Sequence, residues 1–327
     1  MTGENPKLVH MAAKPYISVV VPVHNEEGNL PMLHSRMMAV MQGLGVSYEI
    51  LFVNDGSQDH SMAVIRELAA SNTAVRFLDL SRNFGHQVAV TAGLDHSRGR
   101  AVVIIDADLQ DPPELIADLY RRHKEGFEVV YARRRRRKGE GLMKKWTARL
   151  FYRLMRLMTK IDIPLDTGDF RIIDRKVVDV LKQMPEQHKF LRGQISWAGF
   201  RQTSVEYDRD ERHSGHTSYS YAKMVRFALD GITAFSEVPL RFITLAGFAV
   251  SGVAFLLIIY AILSYFFSPG YQTGWASQMV SFLFIGGIQL VGIGIIGEYL
   301  ARIGANVRKR PLYIVAEDNL GSEGEEG

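Results

Sequence analysis

The amino-acid sequence predicts an α/β domain built on a mainly parallel sheet, followed by two helices that span a membrane. Three observations lead there. Through the first 130 or so residues, short β-branched runs alternate with stretches of helical periodicity, the pattern of a parallel sheet covered by helices on both faces. The first four runs each end in a polar cluster, which puts chemistry at the carboxyl edge of that sheet. Between Phe242 and Gly297 the chain carries no Asp, Glu, Lys, Arg or His, a length of uncharged sequence that soluble domains rarely need.

The first run, Tyr16 to Val23, leads into Pro22-Val23-His24-Asn25-Glu26-Glu27. Apolar spacing predicts a helix over Leu30 to Leu44, and the second run, Tyr48 to Asn54, ends at Asn54-Asp55-Gly56-Ser57. Ser61 to Ala70 reads as a second helix, and Val75 to Leu80 as a third strand trailed by Ser81-Arg82-Asn83-Phe84-Gly85-His86. The fourth run, Arg100 to Asp106, delivers Asp106-Ala107-Asp108-Leu109-Gln110-Asp111, and a fifth covers Glu128 to Ala132. Taken singly these clusters read as helix caps or turns, since Asn25 and Asp59 suit N-caps and Asp55-Gly56 is a turn dipeptide. Four in succession at one sheet edge favour a site. Asp106 and Asp108 stand two apart, so in extended chain they point the same way, and a hard cation such as Mg²⁺ or Mn²⁺ takes oxygen ligands of this kind.

The uncharged stretch divides at Ser268-Pro269-Gly270-Tyr271-Gln272-Thr273-Gly274. Each half exceeds the roughly 20 residues that cross a hydrocarbon core as a helix. Arg241 precedes the first span, Arg302, Arg308, Lys309 and Arg310 follow the second, and the connecting loop has no positive residue, so the positive-inside rule puts both ends in the cytoplasm. Gly292-Ile293-Gly294-Ile295-Ile296-Gly297 matches a dinucleotide-binding pattern but lies inside an apolar span, where small residues instead let helices pack closely, as do Gly247 and Ser251. A homo-oligomer is therefore the expected assembly. Met1 to Lys14 lacks the apolar core of a secretory signal, and the absence of cysteine excludes disulfides and thiolate metal sites.

The formal charge of +4 is unevenly spread. Arg133-Arg134-Arg135-Arg136-Arg137-Lys138 follows the fifth run, ahead of a helical stretch at 142–158. Such a cluster is either a solvated charge run or, in a membrane protein, an attractor of anionic headgroups or a phosphate-bearing lipid. Nucleic acid is not an expected partner. Tyr221, Met224, Val225, Ala228, Leu229, Ile232 and Phe235 mark one face of a helix just before the first span, lying along the membrane surface or packed on the soluble core. The expected organisation is a tail at 1–14, a cytoplasmic catalytic domain at 15–218, an interfacial helix at 219–237, a hairpin at 238–304 and a cytoplasmic tail at 305–327.

Six segments together resemble a known family: Val21-Pro22-Val23-His24-Asn25-Glu26-Glu27, Asn54-Asp55-Gly56-Ser57, Arg82-Asn83-Phe84-Gly85-His86-Gln87, Asp106 through Pro112, Asp166-Thr167-Gly168-Asp169-Phe170-Arg171, and Arg212-His213-Ser214-Gly215-His216-Thr217-Ser218-Tyr219. The chain is similar, from Tyr16 to Ala316, to family 2 glycosyltransferases of the polyprenyl-phosphate type. These include dolichol-phosphate mannose synthases and bacterial undecaprenyl-phosphate glucosyl- and aminoarabinosyltransferases. The resemblance implies a GT-A fold and a bacterial inner-membrane enzyme whose partners are a nucleotide-sugar donor, a polyprenyl-phosphate acceptor and membrane lipids. It implies that Pro22, His24, Glu26, Val53 and Asp55 cradle the nucleotide. Asp106, Ala107, Asp108 and Gln110 would meet the donor diphosphate, with Asp106, Asp108 and Gln110 on a Mg²⁺ or Mn²⁺ ion. If the acceptor is a phosphate, Arg133, Arg137 and Arg212 are expected to position it and offset its charge, with Arg212 catalytic beside Asp106, Asp108 and Asp169. Thr217 completes the substrate-binding set, and Asp169 would be a base or orient the acceptor. Two positions depart from the family pattern: His24 stands where Tyr is frequent, and Thr217-Ser218-Tyr219 where Ser-Lys-Tyr is frequent.

The expected reaction is inverting, metal-dependent transfer of a sugar, UDP-glucose being the expected donor, to a polyprenyl phosphate. GDP-mannose, a UDP-aminoarabinose derivative or a UDP-N-acetylhexosamine are alternative donors. A processive polysaccharide synthase is disfavoured because Trp146, Trp197 and Trp275 do not supply a Gln-x-x-Arg-Trp motif. A non-catalytic nucleotide-sugar-binding scaffold is disfavoured by the intact Asp106, Asp108 and Gln110.

Overall fold

The computed structural model describes residues 14–135, 167–207, 236, 238–267 and 274–320. Arg137, Arg212, Thr217, the stretch 142–158, the face at 221–235 and the loop 268–273 lie outside the described residues. The chain forms two compact units, one of Met1–Trp146, Ile161–Ser218 and Pro311–Gly327, the other of Thr147–Lys160 and Tyr219–Arg310.

In the first unit one sheet contains β1 (Ile17–Val23), β2 (Tyr48–Asn54), β3 (Val75–Leu80), β4 (Ala101–Ile104), β5 (Val129–Arg134), β6 (Thr167–Asp174), β7 (Gln202–Tyr207) and β8 (Val315–Asp318). Their spatial order is β7-β5-β6-β4-β1-β2-β3-β8. The β1–β2, β1–β4, β2–β3 and β5–β7 pairs are parallel, whereas β6 runs antiparallel to both β4 and β5. The sheet is thus mixed, with its parallel core where the sequence places it. All seven residues of β1 are buried, as befits a strand covered on both faces.

Strand alternation sorts these side chains into two layers. Val19, Val21, Ile50, Phe52 and Val103 face α1 (Leu30–Leu44), α2 (Ser61–Ser71) and α4 (Ile116–Lys124), whose Leu33, Met37, Ile65 and Leu119 complete that layer. Val20, Leu51, Val53, Val102 and Ile104 face α3 (His86–His96), α5 (Arg175–Lys182) and α6 (Leu191–Trp197), which supply Ala89, Val90, Val178 and Ile195. Gly93 lets α3 lie against the sheet, because a Cβ there would stand 2.2 Å from Val20 Cγ1.

Three expectations need correction. The fourth strand ends at Ile104, short of Asp106. The fifth strand continues through Arg133 and Arg134 rather than stopping at Ala132, because these residues pair with Glu206 and Tyr207 of β7. The segment after the two apolar helices is not simply a tail. Val315–Asp318 pairs antiparallel with β3, Ser81 N–H donates to Ile314 O at 2.9 Å, and Arg66 grips Glu317 with two nitrogens at 3.2 and 2.5 Å. Asn319 then extends the pairing with its side chain, accepting from Phe77 N–H at 2.7 Å and donating to Val75 O at 3.3 Å. Tyr313 donates to Asp95 at 3.0 Å, and burial together with that carboxyl pushes its phenol up from its ordinary value.

In the second unit, α7 (Val238–Phe267) and α8 (Trp275–Val307) contain apolar windows at Val238–Leu257 and Phe284–Val307 with mean hydropathy 2.0 and 1.6. None of the first window and 6% of the second is buried, so neither is a core helix; both are long and apolar enough to cross a membrane. The glycines at 292, 294 and 297 lie within α8, not between a strand and a soluble helix. Tyr299 donates to Ser236 O at 2.6 Å, and Glu298 pairs with Arg302 one turn on at 3.2 Å.

Candidate active site

The carboxyl ends of β1 and β2 are joined by side chains reaching across to backbone. Asn25 adopts a left-handed φ of 58°, which Asn tolerates better than most residues. Its N–H donates to Ser57 Oγ at 3.0 Å and its Oδ1 accepts from Gln58 N–H at 2.8 Å. Glu26 N–H donates to Ser61 Oγ at 2.9 Å, while its carboxylate accepts from Asn29 at 2.6 Å. Exposed His24 holds its Nδ1 2.9 Å from Asp55 O. Pro22 and Val53 are register partners beneath these loops, both buried.

Asp55 turns its carboxylate on the next loop, accepting from Phe84 N–H at 2.7 Å and Gly85 N–H at 3.0 Å. Gly56 makes that approach feasible: its φ is +62°, and a Cβ there would stand 2.4 Å from Asn83 N, a backbone atom that cannot swing aside. The β2 and β3 loops are thereby locked together, and α3 starts at His86 from a fixed point.

The chain leaves β4 at Ile104, so Asp106 and Asp108 are displayed by a turn and not by extended strand. Buried Leu109 sits at φ 57°, a conformation uncommon outside Gly and Asn that collects at functional sites. Asp108 Oδ1 accepts from Gln110 N–H at 3.1 Å, and Tyr207 donates to Asp111. Asp106, Asp108 and Gln110 alternate outward with buried Ala107 and Leu109. The Asp106 side chain is 31% exposed, yet its Oδ1 is sealed from solvent with no hydrogen bond. Burial and the like charges of Asp169, Asp111 and Asp108 lift its carboxyl to about 6, against the pull of His86. A buried anionic oxygen without a donor, beside further carboxylates, fits a divalent cation. Among the described residues no three Asp, Glu or His converge as a complete ligand set, so a cation on Asp106 and Asp108 would need outside ligands.

Asp169 lies on β6. His86 Nε2 stands 3.0 Å from Asp169 Oδ2 and 3.6 Å from Asp106 Oδ1, so the imidazole bridges the acidic turn and Asp169. Gln87 Nε2 donates to Oδ2 at 3.1 Å and Arg192 Nε to Oδ1 at 2.9 Å. Burial opposes ionisation of Asp169, but Arg192, His86 and Arg171 together hold it well below the usual carboxylate range. Burial likewise opposes the His86 cation, yet its hydrogen bond to Asp169 and the charges of Asp106 and Asp169 raise it to about 9.

The structure therefore brings Asp106 and Asp169 together, and leaves Arg133 exposed on β5. Sequence reasoning assigned no role to His86, Gln87 or Arg192. The first two sat in a recognisable motif; Arg192, in Phe190-Leu191-Arg192-Gly193, carried no local signal.

Residues 18–182 match the family model for glycosyl transferase family 2. The chain is 51% identical over 298 residues to the "Uncharacterized glycosyltransferase YkcC" of Bacillus subtilis, spanning 91% of this chain and 92% of that one. It is 42% identical over 299 residues to the "Prophage bactoprenol glucosyl transferase homolog" of Escherichia coli, spanning 91% and 98%. Against the "Bactoprenol glucosyl transferase" of Shigella phage SfII it is 40% identical over 306 residues, spanning 94% and 99%. With a mixed, mainly parallel GT-A-like sheet and an acidic turn at its carboxyl edge, the chain is a glycosyltransferase and belongs to glycosyl transferase family 2.

Proposed function

We propose that this glycosyltransferase moves glucose, with inversion, from UDP-glucose to a polyprenyl phosphate at the cytoplasmic face of the bacterial inner membrane, using Mg²⁺ or Mn²⁺. The observation that carries this reading is the donorless Asp106 Oδ1 beside Asp108 at the sheet edge, in a chain that also has two helices of membrane-spanning length. The names of the relatives supply the glucose and the bactoprenol. Bound by Asp106, Asp108 and Gln110, the cation would offset the charge that develops on a departing nucleotide diphosphate, a contribution of several kcal/mol.

The protein's own residues do the rest. His24, Glu26 and the backbone around Asp55 shape the nucleotide end, and the Asp55 carboxylate keeps the loop before His86 in place. A phosphate acceptor has a second pKa of about 6, so its oxygen attacks the anomeric carbon without a strong base, and positioning carries the rate. Arg133, Arg137 and Arg212 are assigned to the acceptor phosphate, with Thr217 a further substrate-binding residue. The pairing of β8 with β3 supports a hairpin topology, since residues on either side of α7 and α8 share one sheet and must lie on one side of a bilayer.

The test is a panel of labelled nucleotide sugars offered to the purified protein with a short-chain polyprenyl phosphate. UDP-glucose should label the lipid, chelator should abolish labelling, and Mg²⁺ or Mn²⁺ should restore it. Labelling undiminished by excess chelator sinks the metal role, and labelling from a different donor alone sinks the glucose assignment.

A further inference from the structure

The Asp169 carboxylate is saturated. An ionised carboxylate offers about four lone-pair positions, and four side-chain donors meet it: Arg192 Nε at 2.9 Å and Arg171 Nη2 at 3.4 Å on Oδ1, His86 Nε2 at 3.0 Å and Gln87 Nε2 at 3.1 Å on Oδ2. These donors are not equivalent. Arg171 spends its guanidinium on its own strand, donating to Gly168 O at 2.9 Å and Asp169 O at 3.2 Å, and its contact to Oδ1 is long. Arg192 arrives from α6, 23 residues further on, and makes the short contact to that oxygen. Its aim is fixed by Gln87, whose Oε1 accepts from Leu191 N–H at 3.2 Å while its Nε2 donates to Asp169. Gln87 is the residue after His86, so the first turns of α3 and α6 and the start of β6 close on one carboxylate.

We propose that Arg192 is a positioning residue for sugar transfer, acting through Asp169 to hold the His86 imidazole at its place beside Asp106. Without Arg192, Oδ1 keeps only the long Arg171 contact at 3.4 Å, and the carboxylate is held mainly through Oδ2, about which it can swing. His86 then has a less firmly oriented acceptor in Asp169, and Asp106 Oδ1, 3.6 Å away, competes for the imidazole. Asp169 in this arrangement is an anchor with no vacant position from which to take a substrate proton, which agrees with an acceptor that needs no base. The inference rests on the glycosyl-transfer reading for its kinetic arm only.

The test compares Arg192→Ala, Arg192→Lys, Asp169→Asn and the Arg192→Ala/Asp169→Asn double variant. Arg192→Ala should lower kcat about 100-fold, the scale of a 1 Å misplacement, with acceptor KM and nucleotide-sugar affinity unchanged. Arg192→Lys should recover part of the loss, since an ammonium can meet Oδ1 but lacks the planar fork. In the Asp169→Asn background, Arg192→Ala should cost little more, the mark of two residues acting as a unit. Fully additive losses, or a raised acceptor KM with kcat intact, overturn the proposal by placing Arg192 on substrate. A second arm needs no substrate: in protein carrying ¹⁵N-labelled histidine, the His86 ring resonances, assigned by their loss in His86→Gln, should move in Arg192→Ala and hold in Arg192→Lys. Unmoved His86 resonances in Arg192→Ala overturn the proposal even if the transferred sugar proves to be another, and moved ones sustain it.

Discussion

Replacing Asp106 by Asn should stabilise the metal-free protein while destroying its activity. The folded state lifts this carboxyl from 3.8 to about 6, which at about 1.4 kcal/mol per pH unit is a penalty of about 3 kcal/mol when the group is ionised. The side chain is 31% exposed, so solvent screening reduces the figure to about 1–2 kcal/mol. The sign follows from the raised value: below the ordinary carboxylate range the acid is neutral folded or unfolded and nothing is lost. The penalty grows as pH rises towards about 6 and is complete above it. Asn carries no charge and escapes it. For a domain of this size about 1–2 kcal/mol is a rise of about 3–6 °C in Tm. Thermal unfolding of both proteins in chelator should show that rise near pH 7.5 and almost none near pH 4. Added Mn²⁺ should raise the Tm of the wild type alone, and the variant should not transfer sugar. An Asn variant no more stable at neutral pH, or equally favoured at both, would refute the assignment of Asp106 as a charge stored for a cation.

Glu49→Ala should cost about 3–5 kcal/mol, because it strands Arg76, whose side chain is 8% exposed, without its partner at 2.7 Å. Burial works against the Glu49 carboxylate, but Ser18, Arg98 and Arg76 hold it below its ordinary value. Its contribution is therefore whole above about pH 4.5 and is lost as pH falls through the lower folded value, so denaturant midpoints of wild type and variant should converge in acid. A cost under about 1 kcal/mol at neutral pH would mean that Arg76 finds water instead. A tag placed in the 268–273 loop should be labelled only from outside the cytoplasmic compartment and a C-terminal tag only from within; labelling of both from one side rules out the hairpin topology.

Much of the fold was legible because its signals are local. Tyr48–Asn54 and Val75–Leu80 coincide with β2 and β3, and Leu30–Leu44 with α1, since β-branched alternation and helical spacing survive wherever one face meets the core. α3 gave no such signal: Ala89 through Leu94 are all buried, so the helix lacks a polar face to set a period. β6 hides Asp169 and Arg171 in a strand, and β8 reads Val-Ala-Glu-Asp; strand formation at both depends on partners far along the chain. The site followed the same division. The acidic turn announced itself by composition, whereas the anchoring of Asp169 joins residues 82 and 23 positions away, a distance over which spacing says nothing.

The lateness of β8 bears on how this molecule is made. Until residues 315–318 leave the ribosome, the outer edge of β3 presents unpaired backbone N–H and C=O groups, the template on which strands of other chains can add. Both apolar helices emerge earlier, so the sheet closes only after they have been synthesised. A nascent chain stalled within these helices therefore holds an open sheet, and a chain cut after Val307 keeps it open permanently. Expression of such a truncation should give strand-mediated aggregates even though every residue of the acidic turn is present. For the same reason a fusion partner at the carboxyl end needs a spacer beyond Leu320, whose carbonyl accepts from Arg76 at 3.4 Å, so that the last strand is free to dock.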